Sequence, residues 1–352
     1  MLQLPPEILI RAMEYMGSSY FREDLGRLAV CKQWFACARA VYFRDLALSP
    51  KALRRLLSSP EVGQSLILAK ANLKSLNLNL KGFEDWNVIP MRQGSAPDAD
   101  ALDASSWDSH LGRAVLEAWT TVLDEDLTRL ASIVKDSRKL QVIRIQASSE
   151  HHPMLPSLPR RDYLSIPTIR ALLSAKNLTV LELDTCGTRL IPRQGCNDFH
   201  ICEIIGELLA TLRRLRLRMR SICADVLRPQ NNIINLHLTE VLINLSLSNE
   251  SPTITSATHS LRCGSTAGGL LGLKADIEEQ AQALAVHMAY PRIIRILTHS
   301  LPQLEMQSLD VLTGRRMILA DGMAWENDGK NVEVLDSESD AQDDSFSTSS
   351  DE

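Results

Sequence analysis

This sequence has few aromatic residues, no strong excess of either charge and no long apolar run. Phe, Tyr and Trp together make up 5% of its 352 residues, while the hydrophobic share is 45% and the charged share 23%. A core of Leu, Ile, Val and Ala is expected, in one large domain or two ordinary ones. The net charge of −5 gives no electrostatic reason to expect nucleic-acid binding. No apolar stretch is long enough to span a bilayer, so no membrane partner is expected. The residues after Met1 lack the basic region and apolar run of a secretory signal. Seven Cys, an odd number at irregular spacing, favour reduced thiols over a disulfide framework. The expected setting is intracellular, in cytoplasm, nucleus or both. Also missing are a nucleophile elbow, a kinase signature set, a dinucleotide fingerprint and a phosphate-loop Lys beside Gly268-Gly269. The chain reads as non-catalytic.

The charge that is present is unevenly placed. Residues 333–352 hold eight acids and no Lys or Arg; 38 bases against the remaining 35 acids leave the rest of the chain at +3. A slightly basic body with a disordered acidic tail, 336–352, follows. Ser337-x-x-Asp340, Thr348-x-x-Asp351 and Ser349-x-x-Glu352 have the spacing of acid-directed kinase sites. A tail phosphorylated there has the charge to fold back on basic residues of the body.

At the other end, Pro5 and Pro6 suit a helix start, and Glu7 complements the helix dipole. Ile8, Leu9, Ala12, Met13 and Met16 recur at helical spacing, and Gly17 can end the helix. A second helix is expected from Asp24 to Cys31. A third is expected from Gln33 to Tyr42, with Trp34, Ala38 and Val41 on one face. Cys31 and Cys37 read as small buried hydrophobes. Three short helices bury little, so this unit is marginal without a partner.

The pattern Leu4-Pro5-x-Glu7-Ile8-Leu9, a short gap, Asp24-Leu25-x-x-Leu28-x-Val30-Cys31-Lys32-x-Trp34 and a closing segment 42–46 resembles the F-box family, in its fungal form. It covers residues 4 to about 48. The resemblance implies docking on the Skp-type adaptor, and through it a cullin, of a ubiquitin ligase. Carried over by motif position, the adaptor-binding residues are Leu4, Pro5, Ile8, Leu9, Leu28, Val30, Cys31 and Trp34. Residues 1–48 are then the F-box and 49–335 the client-binding domain, with polar insertions near 82–109 and 246–272.

The body repeats an L-x-x-L-x-L element at Leu73, Leu140, Leu178, Leu212, Ile233 and, more weakly, Leu301. Alternation places one side of a short strand in a core and the other outward. Amphipathic helical stretches fall between them: 111–134, with Val115, Trp119, Val122, Leu127, Leu130 and Val134 inward, then about 198–209 with Asp198 as cap, and 275–300 interrupted by Pro291. Helix-then-strand repetition makes the fold class α/β: an irregular leucine-rich-repeat-like solenoid with parallel strands behind the three-helix F-box. A different α/β sheet is the alternative. Arg316–Ala320 and Val332–Leu335 read as two closing strands around the turn Asn327-Asp328-Gly329.

The residues between the inward leucines line the outward face: Asn77, Asn79, Arg144, Gln146, Glu182, Asp184, Arg214, Arg216, Arg218, Arg220, His237 and Thr239. In this register Arg144, Glu182 and Arg216 sit side by side, as do Asp184 and Arg218. Such opposite-charge neighbours support sheet pairing by about 0.2–1 kcal/mol each. Arg214 and Arg220 have no acidic neighbour, so they carry most of the case for a client site on the arginine ridge Arg214, Arg216, Arg218 and Arg220. Arginine grips carboxylates and phosphates with two prongs, so an acidic or phosphorylated segment is the natural client. The leading reading is a ligase substrate receptor. The alternative is a repeat scaffold outside any ligase that binds acidic or phosphorylated partners.

Cys186, Cys196, His200 and Cys202 fall within seventeen residues, but nine, three and one intervening residues do not match the close pairs of zinc sites. No metal, cofactor or catalytic residue is expected.

Overall fold

A computed structural model describes residues 4–59, 62–83, 110–148, 162–191, 200–230, 235–248, 259–264, 268–300, 305–320 and 322–331. Helix α1 (Pro6–Glu23), a 3-10 turn (Leu25–Leu28) and α2 (Lys32–Tyr42) form an N-terminal hook. Strand β1 (Asp45–Leu48), α3 (Pro50–Ser58), α4 (Val62–Asn72) and β2 (Ser75–Leu80) follow. Then come α5 (His110–Asp136), β3 (Val142–Ala147), β4 (Leu164–Ser165), α6 (Ile166–Leu172) and β5 (Val180–Thr185). Strand β6 (Leu190–Ile191), α7 (Ile201–Leu208), β7 (Arg214–Met219), β8 (Ser221–Ile222), a 3-10 turn (Ala224–Leu227) and β9 (Glu240–Asn244) continue the alternation. The chain then forms β10 (Leu261–Arg262), α8 (Gly269–His287), β11 (Ile293–His299), β12 (Met306–Asp310), β13 (Arg316–Leu319) and β14 (Lys330–Asn331).

Ten of these strands make one sheet in the order β1-β2-β3-β5-β7-β9-β11-β12-β13-β14. Pairing is parallel from β1 to β11 and antiparallel from β11 onward. A parallel neighbour requires a crossover, and helices supply it. The register places Leu46, Leu76, Ile143, Leu181, Leu215, Val241 and Ile294 in one lateral row. Leu48, Leu78, Ile145, Leu183, Leu217, Ile243 and Ile296 form a second. Both rows are buried in one core with Leu53 of α3, Leu127, Leu130 and Val134 of α5, Ile169 and Leu172 of α6, Ile205 of α7, and Leu273, Ile277 and Leu284 of α8. The mixed α/β architecture with a long, mostly parallel sheet agrees with the expected class.

The first four repeat elements fall on β2, β3, β5 and β7. The fifth does not: Leu236 and Leu238 are buried, but the strand starts at Glu240, and Leu236 makes only an isolated bridge to Met288. His237 and Thr239 therefore lie ahead of the strand. The segment 293–299, read as the end of a helix, is strand β11. Pro291 stops the helical option, and Ile293-Ile294 are better placed in a sheet. In α5 the expected Leu127, Leu130 and Val134 are buried, but its first half buries Leu116 and Leu123 rather than Val115 and Val122. The described part of the expected polar insertion near 246–272 contains β10 and the start of α8. Strand 316–319 pairs with β14, which starts two residues ahead of the expected partner, and the turn before it falls at Trp325–Glu326 rather than at Asn327–Gly329. Asp198, Ile233, Leu301, residues 332–335, the acidic tail and nearly all of 82–109 lie outside the described residues. No described helix is long and apolar enough to cross a membrane.

The hook has its own small core of Met13, Phe21, Cys37, Ala38 and Val41, with Leu9, Leu28 and Trp34 packed against it. Gly17 (φ 80°) ends the first helical segment as its freedom at positive φ allows, and the chain resumes helical turns to Glu23. The expected second helix is only a 3-10 turn, capped by the Asp24 carboxylate, which accepts from Gly26 N at 2.8 Å. Tyr42 packs against both the hook core and the main core. Ser18 Oγ donates to Asp45 Oδ2 at 3.1 Å, and Arg44 pairs with Glu14 at 3.3 Å. Strand β1, just after the hook, belongs to the large sheet and seats the hook at its first edge.

Candidate functional site

Three features of the described residues carry chemistry: the exposed surface of the hook, the polar face of the sheet and a cluster of thiols behind it.

On the hook, Leu9, Leu28 and Trp34 are half-buried, while Leu4, Pro5, Ile8, Val30 and Cys31 are exposed. Leu4 and Ile8 keep 51% of their surface and Val30 67%. Leu25 and Phe35 add 60% and 40%. Cys31, expected inside, is exposed because it caps α2: its Sγ accepts from Trp34 N at 3.4 Å. Trp34 Nε1 in turn donates to the Arg27 carbonyl at 2.6 Å, which ties the 3-10 turn to α2. Gln33 Nε2 donates to the Leu4 carbonyl at 3.4 Å. That bond draws the Leu-Pro start to the same end as Val30 and Cys31. The motif thus divides into residues that build the hook and residues that leave it apolar outside.

On the polar face, Arg144, Glu182 and Arg216 are lateral neighbours, and Asp184 faces Arg218. Arg144 Nε lies 2.9 Å from Glu182. Arg218 Nε and Nη2 grip the Asp184 carboxylate at 2.9 and 2.5 Å, a two-pronged pair on a guanidinium only 4% exposed. Burial disfavours the Arg218 cation, but the hydrogen bonds and charge of Asp184 outweigh it and hold the pKa above its ordinary value. Arg214, expected to lack an acidic neighbour, pairs with Glu240 at 2.8 Å. The reason is the shifted fifth strand, which brings Glu240 opposite Arg214. Arg220 Nε donates to the Cys186 carbonyl at 2.8 Å.

Part of the chain's own C-terminal region lies on this ridge. Glu326 reaches Arg216 at 2.8 Å. The Trp325 ring sits 5.4 and 5.3 Å from the Arg216 and Arg218 guanidinium carbons, within cation–π range. Arg295, one strand beyond Leu242, donates to the Asn327 carbonyl at 2.5 Å and pairs with Asp328. Glu326 and Asp328 thus bring acidic groups onto this face; the acidic tail lies outside the described residues. Beside them a shallow cavity of about 330 Å³ is lined by Asn77, Arg144, Gln146, Glu182, Asp184, Arg216 and Trp325.

Behind the sheet the anticipated cysteine cluster is regrouped. Cys186 stays beside the end of β5, where burial raises its thiol to about 11. Cys196 lies outside the described residues. His200 and Cys202, at the start of α7, meet Cys223, which precedes the 3-10 turn, and Cys263, which follows β10. Hydrogen bonds from the Cys202 and Cys223 thiols pull the Cys263 thiol well below its ordinary range. The hydrogen bond with Cys223 pushes Cys202 up. Cys223 and Cys263 stand 21 and 61 residues from Cys202 in sequence, so no local spacing announces them.

No protein-family model matches this sequence, and a search of curated proteins returns no match.

Proposed function

We propose that this chain is the non-catalytic substrate-receptor subunit of a Skp–cullin–F-box ubiquitin ligase, with the hook docking on the Skp-type adaptor. One observation carries the reading. The apolar residues of the F-box pattern divide into Leu9, Leu28 and Trp34, which pack against the hook's five-residue core, and Leu4, Ile8, Leu25 and Val30, which are left in water. A folded unit keeps such a patch when something else covers it. Leu4, Ile8 and Val30, with Pro5 and Cys31, are the contact residues; Leu9, Leu28 and Trp34 act by holding the hook in shape. The body then serves as an irregular leucine-rich-repeat-like solenoid that presents a client from its polar face.

In this account the protein contributes proximity. Holding a client near a ubiquitin-charged partner enzyme raises the effective concentration of the client lysine. The client meets the polar face where it is open, over Asn77, Asn79, Gln146 and the cavity beside Trp325. An acidic or phosphorylated client on the ridge must compete with Asp184, Glu240 and Glu326, which already partner Arg218, Arg214 and Arg216. That competition weighs against the scaffold alternative, which relied on the ridge being free.

The test is co-elution of the full chain with a purified Skp-type adaptor and cullin in size-exclusion chromatography. A ternary complex is expected. Ile8→Asp with Val30→Asp should leave the chain folded and eluting alone, since both side chains already face water. A folded wild-type chain that elutes without the adaptor would end the ligase assignment.

A further inference from the structure

From the convergence of His200, Cys202, Cys223 and Cys263 we propose a zinc site that ties α7, the 3-10 turn and β10 together on the helical side of the sheet. One ligand atom from each of the four lies within 4.8 Å of all the others. The distances suit one tetrahedral ion. With Zn–S of about 2.3 Å and Zn–N of about 2.0–2.1 Å, a tetrahedron puts two sulfurs about 3.8 Å apart and a sulfur and nitrogen about 3.6 Å apart. Cys202 Sγ and Cys263 Sγ are 3.8 Å apart, and Cys223 Sγ is 3.5 Å from His200 Nδ1. Thiols in plain contact reach similar distances pairwise; the observation that points to an ion is the convergence of all four ligand atoms on one centre. A disulfide requires about 2.05 Å between sulfurs.

The surroundings fit a metal-binding histidine. Nδ1 is the nearer ring nitrogen to Cys223 Sγ, at 3.5 Å against 3.9 Å for Nε2, and Nε2 lies 3.6 Å from Asp225 and 3.7 Å from Glu203. A small turn of the ring would bring one of these carboxylates to the far nitrogen, where it would orient the ring as a ligand. Asp225 is in turn held by Arg228 at 2.9 Å. The backbone is built for the approach. A β-carbon at Gly206 would lie 2.6 and 2.7 Å from the carbonyl oxygens of Arg228 and Asp225. Glycine there lets α7 lie directly on the 224–228 turn and brings Cys202 to Cys223. Three thiolates and one imidazole leave no open position, so the site is structural. Cys202 is fully buried, while His200, Cys223 and Cys263 are half-buried, which gives the ion an entry side.

The direct experiment is metal analysis of the full chain purified without chelator from zinc-supplied cells, followed by exchange into cobalt. About one zinc per chain is expected, as is the intense visible spectrum of tetrahedral cobalt with sulfur-to-metal bands. Cys263→Ser and Cys223→Ser should each lose the metal. His200→Cys should retain it as a four-sulfur site, and Cys186→Ser should leave it unchanged. If a ligand variant does not fold, the wild-type stoichiometry and cobalt spectrum still decide. A folded wild-type chain with less than about a tenth of an equivalent of metal, or with a Cys202–Cys263 disulfide, would overturn the proposal. So would full metal retention in Cys263→Ser.

Discussion

The hook and the body treat apolar surface in opposite ways. The body places seven-residue rows of Leu, Ile and Val side by side across its sheet and buries them under its helices α3 to α8. Its large exposed apolar residues include Ile67 on α4, Leu271 and Val286 near opposite ends of α8, and Tyr290 just after it. The hook buries five residues and leaves Leu4, Ile8, Tyr15, Leu25, Val30 and Phe35 in water within 32 positions. A body of this kind is stable by itself, while so small a core is not. The hook leans on the body through Tyr42 and Asp45, and its outer surface is spare. That contrast separates a part with a large shared core from a part with a small core and an apolar exterior.

Several changes test the contrast, from the largest effect to the smallest. Asp184→Ala strands the buried Arg218 cation and should cost about 3–5 kcal/mol in urea denaturation of the body. Leu183→Ala opens a cavity beneath the sheet and should cost about 2–5 kcal/mol in the same transition. Met13→Ala removes a comparable side chain from the hook, yet the body's urea midpoint should hold. Hydrogen exchange should instead quicken across residues 6–42 while β2 to β11 stay protected. A fall in the body's midpoint matching that of Leu183→Ala would make hook and body one cooperative unit and dissolve the distinction. Trp325→Ala should cost about 1 kcal/mol and speed exchange in residues 322–328, as the segment loses its hold on Arg216 and Arg218. Ile8→Asp should change stability by no more than about 0.5 kcal/mol, because the side chain is already half in water.

The same contrast explains what could be read from the sequence. Strands β2, β3, β5 and β7 were legible because each has one apolar and one polar side: Leu76 and Leu78 alternate with Asn77 and Asn79, and Leu215 and Leu217 with Arg216 and Arg218. The signal fails at β9 and β11, where the second side is buried too. Leu242 and Arg295 occupy the polar-face row yet are 0% and 5% exposed. Alternation vanishes in a strand covered on both faces, and the eye then prefers the neighbouring Leu236-x-Leu238 or an unbroken helix. That one shift also hid Glu240 as the partner of Arg214. The lateral pairs Arg144–Glu182 and Asp184–Arg218 were legible because one register links consecutive repeats. The cover of the ridge by Trp325 and Glu326 was not, since 110 positions separate Arg216 from Glu326. The thiol cluster was half visible: His200 and Cys202 are neighbours in sequence, while Cys223 and Cys263 arrive through the crossing of α7 with the 3-10 turn and the pairing of β10 with β8.

The measurement closest to the central claim is calorimetric titration of the full chain with a purified Skp-type adaptor, beside the Ile8→Asp, Val30→Asp variant. The account predicts a Kd near or below about 1 μM for the wild type, and a loss of about thirtyfold or more in a variant whose urea midpoint is unchanged. Absence of binding by the folded wild-type chain, or equal binding by the variant, would contradict it.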